Sequence, residues 1–217
     1  IMYVLDRETG EPIGAFDPGY QDLIDIDPAT GEFVQYRPGK IPEIGEAITQ
    51  CPSTAGFKSW RAMGYSPNTN AVFIPLNLNC DDNAIYAEVE LVEGGGSSAK
   101  PGRNDIFHPD SPDNLGEFLA VDVETHEVLW SHRMRTPANT STLPTAGGIV
   151  FGGDWDRYFW AFDEETGEIL WETRLPNSPQ GFPITYQVDG KQFVAVPVGV
   201  GGASWSTSVV AGLTPEK

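Results

Sequence analysis

Ala161-Phe162-Asp163-Glu164-Glu165-Thr166-Gly167-Glu168-Ile169-Leu170-Trp171 decides the fold, because Ala120-Val121-Asp122-Val123-Glu124-Thr125-His126-Glu127-Val128-Leu129-Trp130 repeats it 41 residues earlier. A period of about 40 to 45 residues made of short strands is the spacing of a propeller blade, and neither copy shows the 3.6-residue apolar rhythm of a helical repeat. Each copy reads as a hairpin. An apolar strand ends at Asp, whose carboxylate accepts backbone N–H bonds in the turn. Gly four residues later takes a positive φ. His126 stands at that place in the earlier copy and tolerates the left-handed region better than a β-branched residue does.

The same turn recurs without the tryptophan at Asp6-Arg7-Glu8-Thr9-Gly10-Glu11 and Asp27-Pro28-Ala29-Thr30-Gly31-Glu32. These two stand half a period apart, so the second is expected to be an extra hairpin within a blade. Trp130 and Trp171 follow their turns on the next strand. There a large flat side chain packs into the neighbouring blade and its indole N–H finds a backbone carbonyl. The chain is expected to hold three to four blades, too few to close a ring of about four to eight. Because an open ring exposes strand edges, further blades are expected from outside these residues.

Composition agrees with an all-β chain. Among 217 residues there are 24 Gly, 18 Pro and 11% aromatics, which suits short strands and tight turns better than long helices. Thirteen Lys and Arg stand against 31 Asp and Glu, a net charge of -18 that repels nucleic acid and anionic lipid alike. No stretch has the ~18 apolar residues of a membrane span. Ile1-Met2-Tyr3-Val4 is no signal peptide and reads as a strand already under way, the remnant of a longer or processed chain. The Pro- and Gly-rich stretch from Gly39 to Gly56, and that from Glu93 to Asn114, read as long surface connections that cap one face of the ring.

Cys51 and Cys80, 29 residues apart, have no His or further Cys at metal-ligand spacing. They read as a disulfide formed in an oxidising compartment, with two buried free thiols as the alternative. Asn79-Cys80-Asp81-Asp82-Asn83 is rich in oxygen ligands but lacks the spacing of a calcium loop, and Asp25-x-Asp27 lacks the rest of an EF-hand. The sequence contains no phosphate-binding glycine loop, zinc-protease motif or nucleophile elbow.

The pattern Ala-x-Asp-x-x-x-Gly-x-x-x-Trp, complete from Ala161 to Trp171, resembles the tryptophan-docking motif of the quinoprotein alcohol dehydrogenases. It is joined by Cys51-Pro52-Ser53, Lys58-Ser59-Trp60, Tyr65-Ser66-Pro67, Thr145-Ala146-Gly147-Gly148-Ile149-Val150-Phe151, Gly181-Phe182-Pro183-Ile184-Thr185-Tyr186, Lys191-Gln192-Phe193-Val194-Ala195-Val196 and Gly199-Val200-Gly201-Gly202. Their order resembles the C-terminal part of that family across nearly the whole chain and is weakest from Glu88 to Asn114.

The resemblance implies part of an eight-bladed propeller that binds pyrroloquinoline quinone (PQQ) with a calcium or lanthanide ion on its axis. It implies a periplasmic enzyme that oxidises an alcohol or a sugar and passes electrons to a cytochrome or a quinone. The family's catalytic Asp and its metal ligands fall upstream of Ile1, so no catalytic or metal residue is expected here. Cofactor contacts are expected at Ser59 and Trp60, at Asn139, and at Gly201, Gly202 and Trp205. Ser59 stands where relatives commonly have Asn, and a hydroxyl reaches less far and donates one bond rather than two. Asn139 stands where methanol dehydrogenases have a cofactor-contacting Trp; the alternatives for it are a polar turn residue or the sequon Asn139-Thr140-Ser141. Glycines at 201 and 202 permit close backbone approach to a flat ring, which Trp205 closes by stacking; the alternative there is a strand-end bulge with a packed Trp. The rival from another class is a cofactor-free propeller that scaffolds protein contacts.

Overall fold

The computed structural model describes residues 1–85, 88, 93, 102–199 and 205–214. The strands run β1 (Met2–Leu5), β2 (Pro12–Phe16), β3 (Ile24–Ile26), β4 (Phe33–Tyr36), β5 (Ala47–Gln50) and β6 (Gly64–Ser66). Next come β7 (Ala71–Asn77), β8 (Asn79–Ile85), β9 (Gly102–Phe107), β10 (Gly116–Asp122), β11 (Val128–Met134) and β12 (Leu143–Thr145). The last are β13 (Ile149–Gly153), β14 (Tyr158–Asp163), β15 (Ile169–Arg174), β16 (Ile184–Val188) and β17 (Lys191–Ala195), followed by the helix α1 (Trp205–Leu213). Two compact units result, Ile1–Thr54 with Asn79–Asp110, and Ala55–Leu78 with Ser111–Lys217.

The second unit contains two complete antiparallel blades, ordered β11-β10-β7-β6 and β12-β13-β14-β15, and a two-stranded sheet, β16-β17. The predicted 41-residue period thus separates the two outer hairpins, β10-β11 and β14-β15. Between the blades lies one aromatic core. Phe73, Phe118 and Trp130 of the first meet Val150, Trp160 and Phe162 of the second, all nearly free of solvent. Phe118 stands edge-on to Trp160 and Phe162, with centroids 6.4 and 5.8 Å away, the arrangement that ring quadrupoles favour.

All four Asp turns adopt one geometry. In each, the Asp carbonyl accepts the N–H four residues on: Gly10 at 2.8 Å, Gly31 at 2.7 Å, His126 at 3.0 Å and Gly167 at 3.0 Å. The residue at that place has φ of 76°, 75°, 60° and 72° respectively, so His126 does occupy the left-handed region. The Asp carboxylates do the predicted capping. N–H groups of Thr9, Thr125 and Thr166 bond Asp6, Asp122 and Asp163, and with their neighbours hold those carboxyls below the usual range.

In the first unit the chain forms two hairpins, β1-β2 and β3-β4, and a three-stranded sheet, β5-β8-β9. The β3-β4 hairpin is a two-stranded sheet of its own, paired with no other strand among the described residues. Cys51 and Cys80 form the disulfide, with Cα atoms 4.5 Å apart, and the Cys51-Pro52 peptide is cis. His108 lies beside the disulfide, its Nδ1 or Nε2 and the two sulfurs within 4.8 Å of one another. Because the sulfurs are bonded to each other, they offer no thiolate to a metal. The His108 ring is also engaged: Asp110 N–H donates to Nδ1 at 3.0 Å, and Nε2 lies 2.8 Å from the Tyr20 carbonyl.

Several expectations need correction. Two of the sheets among the described residues are four-stranded, and the others have two or three strands. The stretch from Gly39 to Gly56 is not all connection, since Ile48 and Ala47 in β5 pair with Ala84 and Ile85 of β8. The stretch from Glu93 to Asn114 likewise contains β9, whose Ile106 pairs with Cys80. Strands of four and six residues with Thr, Gln, Arg, Asn and Asp at half their positions carry almost no alternation, which hid them. Cys80 accordingly lies in the strand β8.

Candidate functional site

Three segments of the second unit converge where the innermost strands of successive sheets begin: residues 58–64 before β6, 138–142 before β12, and 179–182 before β16. The middle one, Asn139-Thr140-Ser141-Thr142, laces the other two. Ala62 N–H donates to Ser141 Oγ at 2.8 Å and Gly64 N–H to Thr142 Oγ1 at 2.9 Å. On the other side Ser141 N–H donates to the Gly181 carbonyl at 2.9 Å, and Thr140 pairs with Gly181 in a bridge. The fit at Gly64 is close enough to require glycine, since a Cβ there would lie 2.2 Å from Pro144 Cδ.

Asn139 is wholly enclosed, with 0% exposure. Its Nδ2 donates to the Pro179 carbonyl at 2.7 Å and its N–H to the Gly153 carbonyl at 2.9 Å. Its Oδ1 is buried without a hydrogen-bond partner. The sequon reading is therefore a poor fit for the folded chain, because Asn139, Thr140 and Ser141 are all buried.

On the open side of this junction Ser59 is half-buried and Trp60 is 47% exposed. The Trp60 indole meets Phe182 edge-on at 5.9 Å, so an aromatic pair from the segments before β6 and β16 faces solvent. Behind it, the Arg61 guanidinium lies 5.2 Å from the Trp60 ring centroid and is only 1% exposed. Lys58 Nζ donates to the carbonyls of Ser59, at 2.9 Å, and Arg61. Burial lowers the pKa of both cations, Arg61 to about 10, and the Arg61 charge lowers Lys58 further. Two cations pressed together in a chain of net charge -18 give this junction a locally positive character.

Of the cofactor contacts expected from sequence, the structure brings Ser59, Trp60 and Asn139 to one junction. Trp205 opens the helix α1 rather than a strand-end bulge, and Gly201 and Gly202 lie outside the described residues. Phe182 and Arg61 were missed. Arg61 had one available signal, a second cation three residues after Lys58 with an aromatic between them. A third missed group is Asp154, 3% exposed, whose carboxyl accepts Thr136 Oγ1–H at 2.7 Å and Tyr158 N–H at 3.1 Å. Burial pushes it up to about 7 against the pull of those bonds. It is enclosed behind the junction, where it braces the turn between β13 and β14.

Comparisons with known proteins place these blades in a class. Residues 111–194 match the family described as "Glucose/ethanol/alcohol dehydrogenase, beta-propeller domain". The match is similar in kind to the quinoprotein alcohol dehydrogenases, the family that the sequence resembles. Over 213 residues, 93% of the chain, the sequence is 34% identical to the quinoprotein ethanol dehydrogenase of Pseudomonas aeruginosa, of which it covers 33%. It is 32% identical to the lanthanide-dependent methanol dehydrogenase of Methylorubrum extorquens over 98% of the chain and 36% of that protein. A solved europium-containing methanol dehydrogenase superposes with a TM-score of 0.83 at 31% identity, over 97% of this chain and 38% of that one. The chain therefore spans about a third of the length of these relatives, corresponding to their C-terminal part.

Proposed function

We propose that this chain forms one wall of the PQQ site of a longer dehydrogenase that oxidises an alcohol in the periplasm and delivers electrons to cytochrome c or a quinone. The observation that carries the reading is the junction of Lys58, Ser59, Trp60, Arg61 and Phe182. PQQ is a flat ortho-quinone with three carboxylates. An exposed indole backed by two cations suits a flat anion, through ring contact on one side and charge on the other. When bound, the quinone supplies the two-electron acceptor chemistry that no amino-acid side chain provides.

The residues of this chain do the holding. Trp60 and Phe182 offer apolar ring surface, the Ser59 hydroxyl offers a hydrogen bond to a carboxylate, and Lys58 and Arg61 offset its charge. Asn139 acts through the Pro179 carbonyl by fixing the segment that carries Phe182. Gly201, Gly202 and Trp205 are proposed as further contacts by their place in the family pattern. The base and the ligands of a calcium or lanthanide ion are assigned to the remaining blades. Alcohols are preferred to sugars because the relatives matched over nearly the whole chain are named for ethanol, methanol and 1-butanol. The disulfide, which persists in an oxidising compartment, supports a periplasmic location.

The test is reconstitution of the full-length protein with PQQ and either calcium or a lanthanide, followed by dye reduction with a panel of alcohols and aldoses. PQQ-dependent reduction with alcohols is the expected result. Absence of both reduction and bound quinone absorbance would leave the cofactor-free scaffold as the better account.

A further inference from the structure

Cys51, Cys80 and His108 stand far apart in the chain, and no short spacing marks them as ligands. The sheet β5-β8-β9 brings them together. Cys51 follows β5, whose Gln50 pairs with Asp81 of β8, and so comes beside Cys80. Cys80 pairs in turn with Ile106 of β9, and His108 lies two residues further on. All three side chains are buried, and the two sulfurs and one imidazole nitrogen lie within 4.8 Å of one another.

Hydrogen bonds independent of the S–S bond hold this arrangement. Cys51 N–H donates to Asp22 Oδ1 at 2.8 Å, the Cys51 carbonyl accepts Asp22 N–H at 2.9 Å, and Ser53 N–H donates to the Asn79 carbonyl at 3.0 Å. Opening the disulfide therefore leaves two thiols side by side. The imidazole is fixed as well, with the Tyr20 ring edge-on to it at 5.4 Å. Because Asp110 N–H donates to Nδ1, that nitrogen carries the lone pair, and Nε2–H donates to the Tyr20 carbonyl at 2.8 Å. A metal-binding histidine is oriented in this way, with one ring nitrogen donating to a carbonyl and the other presenting its lone pair. Asp110 also brings a carboxylate, whose Oδ2 lies 4.0 Å from Nδ1.

We propose that the thiol form of this chain binds one zinc ion through Cys51 Sγ, Cys80 Sγ and His108 Nδ1, with the Asp110 carboxylate in the fourth position. Two thiolates and an imidazole select zinc, whereas hard ions such as calcium take oxygen ligands. Zinc–sulfur bonds of about 2.3 Å and zinc–nitrogen bonds of about 2.0 Å put tetrahedral ligand atoms about 3.5–3.8 Å apart. Atoms already gathered within 4.8 Å reach that spacing by shifts on the order of 1 Å, and Nδ1 exchanges the Asp110 N–H for the ion. Ion and disulfide exclude each other. A dithiol reductant gives two electrons and two protons to the S–S bond and closes its own disulfide; zinc then displaces both thiol protons to solvent. The metal thereby holds the closure between Cys51 and Cys80 in the chain that has not been oxidised.

The site makes no use of PQQ, and its test needs none. The full-length protein is made in a reducing cytosol, purified without oxygen, checked for both free thiols by alkylation and mass measurement, and titrated with cobalt(II) in place of zinc. The expected result is one ion per polypeptide, seen as a sulfur-to-cobalt charge-transfer band with the strong visible absorption of tetrahedral cobalt, and displaced by one equivalent of zinc. His108→Gln, which keeps most of the side-chain volume, is expected to weaken binding on the order of tenfold or more. The oxidised protein and the Cys51→Ser/Cys80→Ser variant should give no thiolate band. Absence of that band in the reduced parent protein would overturn the proposal whatever the variants do. So would an affinity unchanged in His108→Gln.

Discussion

Trp130 and Glu164 are joined across two blades: the indole Nε1 donates to the Glu164 main-chain carbonyl at 2.9 Å, 34 residues on in sequence. This bond seats the ring on Gly167 and sets one sheet against the next. The repeated motif is thereby a connector between blades as much as a turn within one.

Removing either half of that connector should cost stability. Trp130→Phe keeps most of the apolar surface but leaves the Glu164 carbonyl without its donor, a loss of about 1–3 kcal/mol. Gly167→Ala forces a side chain to φ near 72° and into the ring, which is expected to cost on the order of 1–3 kcal/mol. Urea unfolding of the full-length variants checks both; unchanged midpoints would show that the connector contributes nothing.

Trp171 offers a comparison by the same method. If Trp171, 50% exposed here, is covered in the longer protein, Trp171→Ala should cost about as much there as Trp130→Ala, roughly 3–5 kcal/mol. A cost below about 1 kcal/mol, typical of an exposed side chain, would show that the ring stays uncovered.

The disulfide should contribute through the unfolded chain. A sequence separation of 29 residues corresponds to about 3–4 kcal/mol of loop-closure entropy. The Cys51→Ser/Cys80→Ser double variant is expected to lose about that much in urea unfolding. Because both cysteines are buried, added reductant should leave the native protein oxidised until it unfolds.

Asp154 should impose a pH dependence. Burial raises its folded-state pKa to about 7 from 3.8, so folding takes up a proton between these values. The associated stability is complete below about pH 4 and is lost as pH rises through about 7. Unfolding midpoints measured from pH 4 to 8 should therefore fall less steeply in Asp154→Asn than in the parent protein. Parallel profiles would show that Asp154 is not the group responsible.

Where the sequence repeats itself, the fold was legible. The turns at Asp122 and Asp163 gave the hairpin, the left-handed His126 and the docked Trp130, because a turn is a local device written in a few residues. β5 and β9 were not legible, since their pairing with β8 joins segments that show no alternation of their own. At the candidate site, Ser59, Trp60 and Asn139 were expected from family pattern. The lacing by Ser141 and Thr142 and the approach of Phe182 to Trp60 depend on strands from separate blades meeting. No local pattern records that meeting. Trp171 was expected to be packed like Trp130. It was the structure that separated the two, because Trp130 meets the turn after β14 while Trp171 is 50% exposed.

The central claim, that residues 58–61 and Phe182 form a wall of a PQQ site, is tested most directly by equilibrium binding of PQQ to the full-length protein. The account predicts one PQQ per polypeptide. It predicts affinity reduced on the order of tenfold by Trp60→Ala, and increased by Ser59→Asn, which returns a second donor to the carboxylate. No bound PQQ, or binding indifferent to both substitutions, would contradict it.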